Sequence, residues 1–100
     1  MIIVDDIQAY IIHIGLMGQY PFYAQKRDGT SVEVIEFVKI DEDIQYTSLC
    51  DNIVIPFTVK KGDYLNISNK TNILPMKAVD FDREYVRSEV QKHAPLDIDF

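Results

Sequence analysis

The chain has 100 residues, 47% of them hydrophobic, and a net charge of −6. That length suits one domain, which on folding buries roughly 60–70% of the surface its unfolded chain exposes, enough for a core without covalent staples. The single cysteine, Cys50, excludes an internal disulfide and any multi-cysteine zinc site.

At the N-terminus an apolar stretch is interrupted by Asp5 and Asp6 and has no basic flank, so it does not read as a secretion signal. No run reaches the roughly 20 apolar residues of a membrane helix. The expectation is an unexported, cytoplasmic protein with no membrane partner. Isoleucine outnumbers leucine by fourteen to five, which favours strands and points to an AT-rich source such as a Gram-positive bacterium or its phage.

Residues 7–16, IQAYIIHIGL, fit two templates. Ile7, Ile11 and Ile14 share a helical face, while Tyr10, Ile12, Ile14 and Leu16 alternate; the dense β-branching tips the reading to strand. Met17-Gly18 is a break, and the aromatic stretch 19–26 is a second strand with Pro21 near its start. Asp28-Gly29 between apolar runs is a hairpin signal, pairing 19–26 with 31–40. In the latter, Val32, Val34, Val38 and Ile40 lie on one face, spoiled only by Glu36, and Glu33, Ile35, Phe37 and Lys39 lie on the other.

Asp41-Glu42-Asp43 is a charged break, 44–49 a weak strand and Asp51-Asn52 a turn. The alternating stretch 53–59 is a strand whose Pro56 marks a sheet edge. Lys60-Lys61-Gly62-Asp63 reads as the hairpin tip leading into a strand that sends Leu65 and Ile67 one way and Tyr64, Asn66 and Ser68 the other. From Asp80 the period changes. Phe81, Tyr85, Val86 and Val90 form a stripe, Asp80 caps the start and Ala94-Pro95 ends a helix of about thirteen residues. The fold expected is mainly β: a small antiparallel barrel or curled sheet of five to six strands with one C-terminal helix.

The chemical inventory is thin. His13, His93 and Cys50 lack metal-ligand spacing, and Asp80-x-Asp82-x-Glu84 starts like a calcium loop but lacks its glycine and its distal glutamate. No nucleophile elbow, cysteine–histidine signature or glycine-rich phosphate loop is present. No catalytic residue, metal or cofactor is expected. Tyr20, Phe22 and Tyr23 beside Lys26 and Arg27, with Lys60 and Lys61, have the mixture of a single-strand nucleic-acid binder, but the net negative charge opposes phosphate binding.

Charge is segregated along the chain: −1 over residues 1–32, −5 over 33–51, +3 over 52–79 and −3 over 80–100. If the fold unites the two acid-rich segments, Glu33, Glu36, Asp41, Glu42, Asp43, Asp80, Asp82 and Glu84 form an acidic face for a basic partner surface, such as the nucleic-acid groove of another protein, with charge steering the encounter. The expected function is a non-enzymatic, phage-encoded binding protein that inhibits or modulates a larger host protein by occupancy; an immunity protein or antitoxin would work the same way. The alternatives are a virion or adaptor component that assembles through β-edges and an OB-like nucleic-acid binder.

Overall fold

A computed structural model describes residues 1–88; Val90, His93, Ala94-Pro95 and the acidic tail lie outside the described residues. The described residues are mainly β, in two sheets with two helices. The first element, β1 (Ile2–Val4), leads into helix α1 (Ile7–Leu16), followed by β2 (Phe22–Lys26), β3 (Ile35–Lys39), β4 (Ile44–Cys50), β5 (Ile53–Val59), β6 (Tyr64–Asn66), β7 (Leu74–Met76), α2 (Ala78–Glu84) and β8 (Tyr85–Arg87). One sheet has the order β1-β4-β5 and the other β7-β6-β3-β2-β8.

The strand expected at 7–16 is a helix. Asp6 supplies what propensity lacks: its carboxylate accepts from the Gln8 and Ala9 backbone N–H groups, satisfying donors that the first turn leaves orphaned. At the other end Gln19 N–H bonds to Ile14 O and Gly18 N–H to Gly15 O, with Gly18 at φ +104°; this is a Schellman cap, and it explains Met17-Gly18 as a helix stop. Between the caps Ile7, Ile11 and Ile14 reach the core, and tertiary packing overrides β-branching.

The pairing of β2 with β3 occurs as expected, but not around a tight hairpin. Their register runs Phe22↔Phe37 to Ala24↔Ile35, after which Gln25 and Lys26 pair with β8 instead. Asp28 Oδ1 takes the Thr30 N–H and Ser31 Oγ the Glu33 N–H, so side chains hold 27–34 as a loop and the expected strand start at 31 gives way. Asp51 and Asn52, at φ 51° and 65°, form the type I′ turn of the β4–β5 hairpin, and β5 is outermost in its sheet, as Pro56 indicated.

Lys60–Asp63 is not a hairpin tip. It carries the chain from one sheet to the other, because β5 pairs with β4 while β6 pairs with β3 and β7. Gly62 (φ +95°) donates to Ile40 O at 2.7 Å, and Ile40 N–H donates to Asp63 O at 2.8 Å. The Asp63 carboxylate accepts from Lys60 N–H and, across the fold, from Ala78 N–H at the start of α2. Asp63 therefore does the capping expected of Asp80, which lies within the helix's first turn. Helix α2 stops at Glu84, where Tyr85–Arg87 turns into a strand against β2, so the thirteen-residue helix is corrected to seven.

Strand β3 separates two cores. Val38 and Ile40 join Val4, Ile11, Ile14, Ile44, Tyr46, Val59, Leu65, Ile67 and Ile73 in an aliphatic core beneath α1. Phe37 faces the other way, into an aromatic core with Ala24, Phe81 and Tyr85, flanked by Phe22 and Tyr64. The described residues form no closed barrel. Strands β5 and β7 approach each other without ladder hydrogen bonds, and each contains a proline, Pro56 and Pro75, which has no N–H to give.

Candidate functional site

The eight acids are scattered over three parts of the surface, and five of them are engaged at home. Glu36 sits on β3 with its side chain only 11% exposed, 3.5 Å from Lys70 Nζ. Glu42 accepts a 2.7 Å hydrogen bond from Tyr10 Oη of α1. Asp43 accepts the Lys61 N–H at 2.8 Å and lies 3.9 Å from Lys60 Nζ. Asp80 pairs with Arg83 at 3.0 Å, and Glu84 with Lys26 at 3.3 Å and Arg83 at 3.2 Å. The carboxylates of Glu33, Asp41 and Asp82 form no ion pair within the described residues and are open to solvent.

No ion pair or hydrogen bond joins the 41–43 corner to the 80–84 helix among the described residues. Instead the basic segment folds back on the acidic ones: Lys60 meets Asp43 and Lys70 meets Glu36. Segregation along the chain becomes interleaving in space. Hydrogen bonds from Arg83 and Lys26 hold the Glu84 carboxyl below the usual carboxylate range, and the same contact with Glu84 raises Lys26.

The aromatic and basic residues of a nucleic-acid face are likewise divided. Phe22 stacks in the aromatic core, with the Arg87 guanidinium 3.8 Å from its ring centroid; Lys26 lies over Tyr85; and Lys60 and Lys61 belong to the Asp43 corner. Among the described residues no three metal-ligating side chains converge; His13 is exposed on α1, and Cys50 Sγ contacts Asn72 Oδ1 at 3.2 Å. The strongly raised phenols are structural. Tyr10 is raised by burial and by the Glu42 carboxylate beside it, and Tyr46 mainly by burial, with its hydroxyl donating to Ile73 O at 2.8 Å.

A different surface emerges around α1. The helix is apolar on the outside as well: Ile12, Leu16, Met17 and the nearby Tyr20 are between 64% and 82% exposed. At 3.6 residues per turn, Gln8, Ile12, Gly15 and Leu16 run along one flank, where they border a groove of about 490 Å³ floored by Ile11, Ile67 and Ile73. Tyr10, with Glu42, is on the opposite flank. A second concavity of about 310 Å³ shares Gln8, Lys70 and Ile73 with the first and adds Asp5 and Asp6 at the helix N-terminus. Asp5 and Asp6 thus lie at one end of the apolar strip and Glu42 on the flank opposite it, while the one charged residue lining the groove itself is Lys70. The signals for it in the sequence are the Asp6 cap, the Gly18 stop and the i, i+4 pair Ile12–Leu16; a strand reading hides all three. No protein-family model, curated protein or solved structure matches this chain.

Proposed function

We propose that this is a small non-enzymatic binding protein that acts by occupancy, laying the α1 side of the molecule on a basic surface of a larger protein. The observation that carries the reading is the outer face of α1. A surface helix ordinarily turns a polar face outward, but here Ile12 and Leu16 stand among Gln8 and His13 on that face with Met17 at its end, and these apolar side chains call for a covering partner. Burial of that strip supplies affinity, and Asp5 and Asp6 at its end, with Glu42 and Asp41 beside Tyr10 on the other flank of the helix, favour a basic partner and speed the encounter. The acids of α2 and Glu33 then serve solubility rather than contact. An inhibitor of a host protein, encoded by a phage, is the role this mode of action suits best. Assembly through the edges of β5 and β7 draws less support, since each is interrupted by a proline, and the other two edges, β1 and β8, are only three residues long.

The test is capture of partners from lysate on immobilised protein at low and high salt, run in parallel with Leu16→Lys and with the triple change Asp41→Lys, Glu42→Lys, Asp43→Lys. The expected result is one basic partner, released by high salt, whose affinity falls at least about tenfold for Leu16→Lys and whose association slows several-fold for the triple variant. Retention that ignores salt and is equal for wild type and Leu16→Lys overturns the reading.

A further inference from the structure

The second exposed apolar surface lies away from α1, on the sheet β1-β4-β5. Strand alternation sends Ile44, Tyr46, Val59 and Phe57 inward to the aliphatic core. The opposite face presents Ile3, Thr47, Leu49, Val54, Pro56 and Thr58, all exposed, with Ile3, Leu49 and Val54 between 53% and 66% accessible. The one further outward residue of the β4–β5 pair, Gln45, is neutral too. A solvated face of an antiparallel sheet ordinarily alternates in polar and charged side chains. Here no outward position of β4 or β5 carries a charge, in a chain whose net charge is −6.

We infer that this face pairs with the same face of a second copy, sheet against sheet, in a weak two-fold dimer. The occupant follows from charge. Two identical molecules of net charge −6 repel, most strongly where their carboxylates oppose, and this neutral plate is where they approach at a reduced cost that salt lowers further. Stacking rather than edge addition follows from Pro56, which interrupts the row of donors that an added strand would need. The strength follows from area. Two strands of seven residues and one of three, about 4.8 Å apart with about 3.4 Å per residue, give a plate of roughly 280 Å². A stable interface takes about 800 Å² from each partner, so the dimer exchanges rapidly and fills only at high concentration.

Sedimentation equilibrium of the full chain, from about 10 μM to about 1 mM at low and high sodium chloride, tests this. The expected mass rises with concentration from 11.6 kDa toward twice that value, and rises further in high salt as repulsion is screened. That salt dependence is opposite in sign to the one expected for a basic partner on α1, so the two readings fail separately. Val54→Lys and Thr47→Lys, both at exposed positions, should each weaken association at least about tenfold with unchanged circular dichroism, while Leu16→Lys leaves it intact. A single 11.6 kDa species throughout, or a dimer that survives both lysine variants or is lost with Leu16→Lys, overturns the inference.

Discussion

The aliphatic core beneath α1 and the aromatic core beneath α2 meet along two neighbouring strands, β3 and β6. Strand β3 gives Val38 to the first and Phe37 to the second, so alternation feeds two interiors at once, and Ile40 just past its end joins the first. The aliphatic core is assembled from both sheets and a helix, and all its buried residues except Tyr46 and Leu65 are β-branched side chains that fit pleated surfaces. The aromatic core is smaller and relies on ring geometry: Phe37 meets Phe81 edge-on at 5.0 Å and Tyr85 at 5.1 Å, and Phe81 stacks on Tyr64 at 4.0 Å. The difference shows how a chain of this size avoids a single large core. Helices α1 and α2 each cover one core, and the two halves are joined through β3 and through β6, which gives Leu65 to one core and Tyr64 to the other.

The sharpest way to break this arrangement is Phe37→Ala. Phe37 is 1% exposed and contacts three other rings, so its loss should cost about 3–5 kcal/mol. Because β3 belongs to both cores, the helical signal of α1 and the tyrosine fluorescence of the aromatic side should disappear in one denaturant transition. Two separated transitions would show that the cores fold independently. A smaller effect is expected where the halves are tied by a loop. Asp63→Ala removes the acceptor shared by Lys60 N–H and Ala78 N–H and should cost about 1–2 kcal/mol, seen as a shift in the urea midpoint with unchanged slope. Asp63→Asn keeps an acceptor oxygen and should cost less.

The sequence carried some of this comparison openly and hid the rest for identifiable reasons. The two faces of β3, the Asp51-Asn52 turn and the edge position of β5 are local, set by alternation, by positive φ and by a missing N–H, and each is legible. The 7–16 segment is ambiguous because Ile12 and Leu16 interrupt the outward polar face that Gln8 and His13 would otherwise mark; the caps, not the periodicity, hold the information. Tyr85 misleads in the opposite way. It packs on Phe81 at helical spacing yet pairs with Lys26 as a strand residue, so the stop of α2 is imposed by docking on β2, sixty positions earlier in the chain. Charge misleads most. Lys60 and Lys70 lie in a basic segment of the sequence but are spent on Asp43 and Glu36, which no linear count reveals.

The smallest of these effects concerns the one phenol buried in the aliphatic core. Tyr46 is 1% exposed and donates to Ile73 O, so Tyr46→Phe should cost about 1 kcal/mol near neutral pH. Its value is in the alkaline range. Burial raises the Tyr46 phenol above the roughly pH 10 of an unfolded tyrosine, so above that pH the unfolded chain has released a proton that the native state still holds. Stability is fully present below about pH 10 and falls as pH rises toward the folded pKa, at about 1.4 kcal/mol per pH unit for this group. Tyr10 is raised in the same direction but is partly open to water and adds less. Urea titrations between about pH 9 and pH 11 should therefore show a steep loss for the wild type and a shallower one for Tyr46→Phe. Equal slopes would mean that the aliphatic core admits water to Tyr46 once alkali is present, which would make it the looser of the two cores rather than the tighter.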